Sequence, residues 1–488
     1  MDTYPDPVGE DAQVTSSQTT SQTLSNNGSA THGQALGAPA DDRSDASSGT
    51  GPRGHIGWIV AGSLFTGLVI GLLLVAAPFI PAEESELTGA LLCGFALGWA
   101  MLAVLSARFS DQPQRWAAAP ALFMGLGGLL LVGFGSGVQG VLSWVWPPAL
   151  VALVVLMVVQ ARRQLRSRSR RWLVYPVIAI MALAAVGGGY ETVSGARDQD
   201  FPIPGQLVDV GGHSLHLDCR GSGSPTVVLE PGAGGTSSML GWLTPAIASE
   251  TRVCVYDRAG RGWSEPADGP QDGAQIATDL HTLLERGNVP RPYVMAGHSF
   301  GGLYVLTYAA RYPDDVAGMV LVDSTEPGSL ATPAASPDNE GSSGLITRVS
   351  ALLSSSARLG LARLIVNLDS GGLPPQAEDE VRATTVTPSH VQSTLDEYIQ
   401  AGASRDHAAS LRDFGDKPLF VLTAGSGSDA AWMATQEDLA GLSTNSAHRV
   451  IDGAAHADLV FDERAAAATS QAILDVVSSV RTERKVGR

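Results

Sequence analysis

Five long apolar runs without charged residues constrain the fold of this chain more than any other feature. Each reaches the roughly 17–25 residues that a helix needs to cross about 30 Å of hydrocarbon. The sequence therefore predicts an all-α transmembrane domain over residues 55–193. The runs are Ile56–Ile80, Leu87–Ala107, Ala117–Gln139, Val141–Gln160 and Trp172–Tyr190.

The boundary between the third and fourth runs is the least defined of the four. Gly140 alone separates the two runs, and Pro147 and Pro148 interrupt the fourth. We expect a tight hairpin there, because glycine and proline are the residues that most often break a helix.

Arginines distinguish the two ends of the predicted spans. Arg108 and Arg115 flank the second loop, and six arginines crowd residues 162–171. Arg53 precedes the first span, whereas the first loop is acidic and the third is uncharged. Loops on the cytoplasmic side carry an excess of Lys and Arg. We therefore predict an integral, multi-pass plasma-membrane protein with a cytoplasmic N-terminus and an extracytoplasmic C-terminal part.

Charge also excludes some classes of function. No Asp, Glu, Lys, Arg or His lies inside the five runs, and proton or ion paths usually need such residues at membrane depth. This weighs against a transporter or channel. The net charge of -17 argues against nucleic acid as a partner.

Two segments without a strong apolar pattern flank the predicted membrane domain. Residues 1–54 are rich in Ser, Thr, Gln, Asn, Gly and Asp, and cannot bury enough apolar surface to offset the entropy of ordering. We predict a disordered cytoplasmic tail there. Gly187–Gly189 and the glycines between 195 and 205 predict a flexible exit from the membrane, with a linker over residues 194–204.

Beyond residue 205, strand-like runs alternate with helical ones. Several of these runs are continuously apolar, as strands buried on both faces should be. The alternation predicts a doubly wound, mostly parallel α/β sheet. The predicted strands are Leu215–Cys219, Thr226–Glu230, Val253–Tyr256, Tyr293–Ala296, Met319–Val322, Leu419–Thr423 and Ala447–Ile451. The predicted helices are Ala274–Arg286, Leu303–Arg311, Thr435–Leu442 and Ala465–Val480.

The segment Tyr293–Gly302 carries a nucleophile-elbow motif, Gly-His-Ser-Phe-Gly, between an apolar strand and a helix. In such an elbow the serine occupies a strained turn, and the residues two before and two after it must be small. Gly297 and Gly301 fit that requirement around Ser299. The turn exposes the serine hydroxyl and directs the N–H of Phe300 towards a substrate oxyanion.

From about Gly205 to the end, the chain resembles α/β-hydrolases of the Ser-His-Asp type. Besides the elbow, the motif Glu-Pro-Gly-Ala-Gly-Gly at Glu230–Gly235 carries this resemblance. The resemblance implies that the N–H of Ala233 is the second oxyanion donor, although Pro231 replaces the histidine that the family more often has. Asp257–Ser264 matches the family's loop after the fourth strand, which we interpret as structural.

The resemblance also implies the partners of Ser299. His456, just after the last predicted strand, lies where the family keeps its catalytic base, and the order of Ser before His agrees. Two aspartates are candidates for the acid. Asp323 directly ends its strand, whereas Asp429 lies several flexible residues beyond its own. An aspartate on a rigid strand end orients an imidazole better than one on a flexible loop. We therefore favour Asp323 as the acid and keep Asp429 as the alternative.

The strand pattern stops over residues 327–417, where the resemblance implies a helical cap. Apolar residues recur there at helical spacing, namely Leu345, Ile346, Val349, Leu352 and Leu353. This face either packs on the domain or forms an acyl-chain mouth or a membrane contact. The family's sheet order makes the strands of Cys219 and Cys254 neighbours. The pair is either a disulfide, which an extracytoplasmic location permits, or two buried thiols.

Together these features predict a membrane-anchored, esterase- or lipase-like serine hydrolase that cleaves a carboxylic ester of a small molecule or lipid, with an amide or peptide as the alternative substrate. No metal cluster or phosphate-binding loop accompanies the motifs, so we expect no cofactor and no metal. One alternative is an acyltransferase that uses the same residues with an acceptor other than water. Another is a non-catalytic sensor or scaffold, which would have no need of Ser299 and His456.

Overall fold

The computed structural model describes residues 56–164, 172–198, 201–328, 340–369 and 372–486. The predicted disordered tail and most of the arginine-rich fourth loop lie outside these ranges.

Five long apolar helices open the described chain. By length and composition each is able to cross a membrane. They are α1 (Ile56–Ala76), α2 (Glu84–Phe109), α3 (Ala118–Phe134, after a 3₁₀ turn at Arg115–Ala117), α4 (Ser136–Gln164) and α5 (Tyr175–Asp198).

Two predicted boundaries in this region are wrong. The third and fourth helices separate at Gly135, whose φ of 53° lies in the left-handed region, and not at Gly140. α4 continues through Pro147 and Pro148. α5 extends to Asp198 through the residues predicted to form a flexible exit, so residues 194–198 are helix and not linker.

An eight-stranded sheet forms the centre of the C-terminal part, in the order β1-β2-β4-β3-β5-β6-β7-β8. β2 pairs antiparallel with β1 and β4, and the remaining pairs are parallel. The predicted doubly wound, mostly parallel sheet is confirmed. The strands are β1 (Gln206–Asp209), β2 (Ser214–Arg220), β3 (Thr226–Glu230), β4 (Val253–Tyr256), β5 (Tyr293–His298), β6 (Val316–Val322), β7 (Leu419–Ala424) and β8 (Ser446–Ile451).

Helices cover both faces of the sheet. Successive residues of β5 show why, because Val294 packs into one hydrophobic core and Met295 into the other. A strand buried on both faces is therefore apolar throughout. The helices before the cap are α6 (Leu243–Ala248, after a 3₁₀ turn at Ser237–Leu240), α7 (Gly273–Arg286) and α8 (Phe300–Arg311).

The predicted cap lies between β6 and β7 and is helical. It comprises α9 (Glu340–Ser354), a 3₁₀ turn (Ser355–Leu359), α10 (Leu361–Asp369), α11 (Pro375–Thr384), α12 (Pro388–Ile399) and α13 (Ala401–Ala408). The chain then continues with α14 (Ala430–Ala440), α15 (Asp458–Phe461) and α16 (Glu463–Thr482).

The predicted apolar face of the cap divides between two environments. Leu352 packs against the cluster that contains Val75 and Leu87 at the ends of α1 and α2. Leu345, Val349 and Leu353 stay about half exposed, at 46–52%. The side chain of Ile346 lies outside the described part of the chain. Simple packing of this face on the hydrolase-like domain is therefore wrong for the exposed residues.

Three cap arginines contact one end of the apolar helices. Arg348 donates to the backbone carbonyls of Val75 and Ile80. Arg358 binds both carboxylate oxygens of Glu84 at 2.6 and 2.7 Å. A third arginine, Arg363, binds carboxylates near the end of α5. Bidentate arginine–carboxylate pairs are among the more strongly oriented polar contacts, so the cap rests on this end of the helices.

Cys219 and Cys254 form a disulfide between the neighbouring strands β2 and β4. Of the two alternatives that the sequence left open, the structure has the bonded pair.

Candidate active site

Ser299 lies in the predicted sharp turn between β5 and α8. Its backbone has φ 56° and ψ -122°, a conformation that costs a non-glycine residue energy and is typical of functional sites. A Cβ at Gly297 would lie 2.4 Å from the Gly301 oxygen, and one at Gly301 would lie 2.4 Å from the Glu230 oxygen. Only glycine fits at either position, as the elbow motif predicts.

His456 and Asp323 are brought together from positions 133 residues apart. The Nδ1 atom of His456 lies 2.5 Å from Oδ2 of Asp323. A carboxylate only accepts, so Nδ1 carries the proton and Nε2 keeps its lone pair. Asp323 follows β6 directly and has φ 45°. The Asp323–His456 pair therefore leaves Nε2 of His456 free to accept a proton.

The environment of Asp323 favours its charged form. Burial alone raises its pKa, but hydrogen bonds from His456, from the Trp432 indole N–H at 2.8 Å and from the Ala424 N–H at 3.2 Å outweigh burial. The pKa of Asp323 lies below its usual value. Trp432 is a partner that the sequence did not reveal, because its position opposite Asp323 depends on how α14 packs.

Asp429, the alternative acid, has a different role in the structure. It is the N-cap of α14, and its Oδ1 accepts the N–H of Trp432 at 2.8 Å. N-cap aspartates satisfy the free N–H groups of a helix's first turn. Asp429 contributes to the site only indirectly, by starting the helix that carries Trp432.

The two predicted oxyanion donors belong to the residue after Ser299 and to the loop that follows β3. Phe300 begins α8, so its N–H has no acceptor within the helix. The opposite loop is close, because a Cβ at Gly232 would lie 3.1 Å from Cβ of Ser299. Within the described residues, no hydrogen bond uses the N–H of Ala233. Both N–H groups therefore remain available to a ligand.

The predicted hydrogen bond between Ser299 and His456 is not formed in the structure. Among the hydrogen bonds of the described residues, none joins Ser299 Oγ to His456. Contacts of this kind often tighten only when substrate binds.

A comparison with known protein families decides the identity of this region. Residues 225–463 match the model of the α/β hydrolase fold, and this range includes Ser299, Asp323 and His456. Over this region the chain belongs to the α/β-hydrolase family. The resemblance inferred from the sequence is confirmed.

Individual relatives of this α/β hydrolase are partial matches. An uncharacterized protein of Schizosaccharomyces pombe is 32% identical over 167 residues, 28% of this chain and 31% of that protein. A putative carbamate hydrolase of Pseudomonas savastanoi pv. phaseolicola is 36% identical over 114 residues, 23% of this chain and 43% of that protein. The chain thus spans less than half the length of these relatives. A solved esterase of Thermogutta terrifontis is 22% identical with a TM-score of 0.44, covering 57% of this chain and all of that one.

His298, the variable residue of the elbow, supports the loop of His456. Its Nε2 lies 3.1 Å from the backbone oxygen of His456, and the two rings are 4.6 Å apart. Burial, followed by the nearby His456, lowers the pKa of His298 to about 4. His298 is therefore neutral at physiological pH, with its proton on Nε2 to donate to that carbonyl. Sequence reasoning missed this contact because the partner is a backbone atom distant along the chain.

A buried carboxylate from the cap of this α/β hydrolase joins the oxyanion loop to the loop after β4. Glu397, on α12, accepts the Gly234 N–H at 2.8 Å and the Tyr304 hydroxyl at 2.7 Å. Arg258 and Arg261 lie 3.1 and 2.8 Å from its two oxygens. Burial raises the pKa of Glu397, but the two arginines outweigh it and the pKa is lowered.

Arg258 extends this network to the oxyanion loop itself. It donates to the backbone oxygens of Pro231 at 2.9 Å and Gly232 at 2.7 Å. The loop containing Arg258 therefore has the structural role predicted for it, because it fixes the backbone beside Ser299. The cap residue Glu397 gave no signal in the sequence, since a single Glu in a cap helix resembles a surface residue.

Removal of the Glu397 carboxylate is expected to destabilise the hydrolase domain strongly. Glu397→Ala leaves Arg261 buried without a carboxylate partner and leaves Arg258 paired with Glu230 alone. Loss of one partner of a buried ion pair typically costs about 3–5 kcal/mol. Denaturant unfolding of the purified full chain in detergent, followed by tryptophan fluorescence, measures the change. Glu326→Ala is the matched control, because Glu326 is 57% exposed in its pair with Arg405, and such pairs contribute less than about 1 kcal/mol. Equal losses in the free energy of unfolding for the two variants would refute the proposal that the buried Glu397 network stabilises the domain.

A cavity of about 350 Å³ lies away from this site, between α11 of the cap and the segment that follows β3. Its lining includes Trp242, Glu380 and Arg220, but none of Ser299, Asp323 and His456. The hydrogen-bond geometry, and not this cavity, therefore defines the candidate active site.

Proposed function

We propose that this chain is a membrane-anchored serine hydrolase that cleaves a carboxylic ester, with an amide as the alternative substrate, through an acyl-enzyme. The observation that carries the proposal is the 2.5 Å contact between His456 Nδ1 and Asp323 Oδ2, beside a serine in a strained elbow. This arrangement supplies a base with the correct free nitrogen next to a nucleophile.

The proposed mechanism assigns one role to each group. Ser299 Oγ attacks the substrate carbonyl while His456 Nε2 takes the hydroxyl proton. Asp323 holds the imidazole and stabilises its charged form. The N–H groups of Phe300 and Ala233 donate to the oxyanion. His456 then gives its proton to the leaving group, and a water molecule activated by the same histidine releases the acid product.

The substrate of the proposed reaction is a small molecule or a lipid with an activated carbonyl. The chain's own residues supply the nucleophile, base, acid and oxyanion donors, so the proposed reaction needs no cofactor or metal. The relative named as a putative carbamate hydrolase is consistent with attack at a carbonyl that bears nitrogen, and therefore supports keeping the amide alternative.

We further propose that α1–α5 cross the plasma membrane and that the hydrolase domain lies outside the cytoplasm. The charges at the two ends of the helices support this orientation. The cap contacts the end that carries Glu84 and Glu191. The opposite end carries arginines, of which Arg108, Arg115, Arg162 and Arg163 are described, as expected of cytoplasmic loops. The disulfide agrees with an oxidising compartment.

A fluorophosphonate probe that cannot cross membranes tests both parts of the proposal in intact cells. We expect it to label the wild-type chain without lysis and to leave Ser299→Ala unlabelled. Labelling only after lysis would place the domain in the cytoplasm and refute the orientation. Absence of labelling before and after lysis, while a control hydrolase reacts, would refute the serine-hydrolase proposal.

A further inference from the structure

The cap helix α10 is held directly against the last apolar helix, α5. Arg363 of α10 binds both carboxylate oxygens of Glu191 at 2.9 and 3.0 Å and Asp198 at 2.7 Å. Just before α10, the backbone oxygen of Leu359 touches Gly187, where a Cβ would lie only 2.1 Å away. A side chain at Gly187 would therefore separate the two segments. This contact fixes α10 at a defined level along α5.

A second face of α10 carries apolar side chains that are about half or more exposed. Leu361, Leu364 and Ile365 are 48%, 58% and 66% exposed. Their spacing of three and four residues places them on one side of the helix. Arg363 is in contrast buried, at 6% exposure. α10 is therefore amphipathic, with its polar contact towards α5 and an apolar side directed away from the protein.

The level of α10 along α5 coincides with the expected membrane surface. Exposed aromatic residues gather at the two ends of membrane spans, and Trp172 and Tyr190 are both exposed. Trp172 lies in the turn just before α5, and the helix from its first residue, Tyr175, to Tyr190 rises about 22 Å at 1.5 Å per residue. The two aromatic residues therefore lie near the two ends of a segment that approaches the hydrocarbon thickness. Between them, Leu183 and Val186 are exposed at 73% and 69%. Gly187 lies about one helical turn from Tyr190 on α5. The contact at Gly187 therefore places the start of α10 at the membrane interface.

We propose that α10 lies in the membrane interface and buries its apolar side in the leaflet on the side of the hydrolase domain. This inference rests on the proposed membrane location of α1–α5. Lipid is the occupant that the position favours, because α10 begins at the level of Gly187 on α5 and its apolar side chains are exposed. Amphipathic helices of this kind immerse their apolar side about 5–10 Å into the headgroup and acyl boundary.

Fluorescence quenching by brominated lipids tests the proposal on the full chain. In a Cys93→Ala background, Leu364→Cys and Ile365→Cys are labelled with a nitrobenzoxadiazole dye and reconstituted in phosphatidylcholine vesicles. Cys219 and Cys254 do not react, because they are disulfide-bonded. In vesicles whose acyl chains carry bromine near the headgroup, we expect both sites to lose about half of their fluorescence, as an interfacial location requires.

Two matched sites separate this inference from the membrane proposal. Leu183→Cys, on the exposed side of α5, reports whether the apolar helices lie in lipid. Ser478→Cys, exposed on α16, reports the aqueous background and should not be quenched. Quenching at 183 without quenching at 364 and 365 would overturn the inference and leave membrane anchoring intact. Absence of quenching at 183 would overturn both. Disulfide cross-links between two chains of the unlabelled Leu364→Cys variant would instead identify a second copy as the occupant and also overturn it.

Discussion

Ser299→Ala should abolish ester hydrolysis by the purified full chain. Loss of the nucleophile in a Ser-His-Asp site typically lowers kcat by about 10⁶, because nucleophile and base act as a unit. Hydrolysis of p-nitrophenyl esters, from acetyl to palmitoyl, measures the effect. In rapid mixing, the wild type should also release an initial burst of p-nitrophenolate that matches the enzyme concentration when deacylation is slow. The variant should show neither burst nor turnover.

The effect of Ser299→Ala must be separated from misfolding. The mutation removes one oxygen from a turn whose glycines are unchanged, so the unfolding transition should match that of the wild type. Ser478→Ala, on the exposed side of α16, is the control and should retain full activity. Ester turnover in Ser299→Ala within tenfold of the wild type would show that another residue is the nucleophile.

Asp323→Asn is expected to lower kcat by about 10⁴, the effect typical of replacing the acid of such a triad. The carboxylate accepts from Nδ1 of His456 at 2.5 Å and thereby leaves Nε2 unprotonated. An amide that donates to Nδ1 would reverse this tautomer. The same steady-state assay measures the loss, with KM much less affected than kcat.

Asp429→Asn provides the contrasting measurement. Asparagine caps a helix about as well as aspartate, so α14 and its Trp432 should stay in place and activity should remain close to that of the wild type. A large loss in Asp429→Asn together with an active Asp323→Asn would reverse the assignment of the acid.

Local sequence patterns predicted most of the sheet and the elbow. β3 and β4 have the predicted bounds, because a strand buried on both faces must be apolar throughout. The elbow followed from Gly297 and Gly301, whose small size is required within five residues of sequence. β1 was missed, since its four residues are mostly exposed at the sheet edge and show no apolar run.

Contacts between segments that are distant along the chain could not be predicted from the sequence. Nothing local distinguishes Glu397 from a surface glutamate, yet two arginines and a backbone N–H surround it. Trp432 and His298 reach the site only through the packing of α14 and the His456 loop. The extension of α5 to Asp198 has a similar origin, because Arg363 of the cap binds Asp198, within the predicted linker, and Glu191, just before it.

The cap has two kinds of attachment, and both bear on the proposed activity. Glu397 joins it to the oxyanion loop through Gly234. Arg348, Arg358 and Arg363 join it to the apolar helices. The structure thus connects the surroundings of Ser299 to the end of the helices. A membrane location of those helices would hold Ser299 at a fixed position relative to the lipid surface.

Trapping of the acyl-enzyme tests the central claim most directly. The purified full chain is mixed with p-nitrophenyl acetate, quenched in acid within the burst phase and digested, and the acetylated peptide is identified by mass spectrometry. We predict that the acetyl group is on Ser299 and that Ser299→Ala carries none. An acetyl group on another residue that turns over at the rate of hydrolysis, or hydrolysis without any trapped intermediate at single-turnover times, would contradict the proposed mechanism.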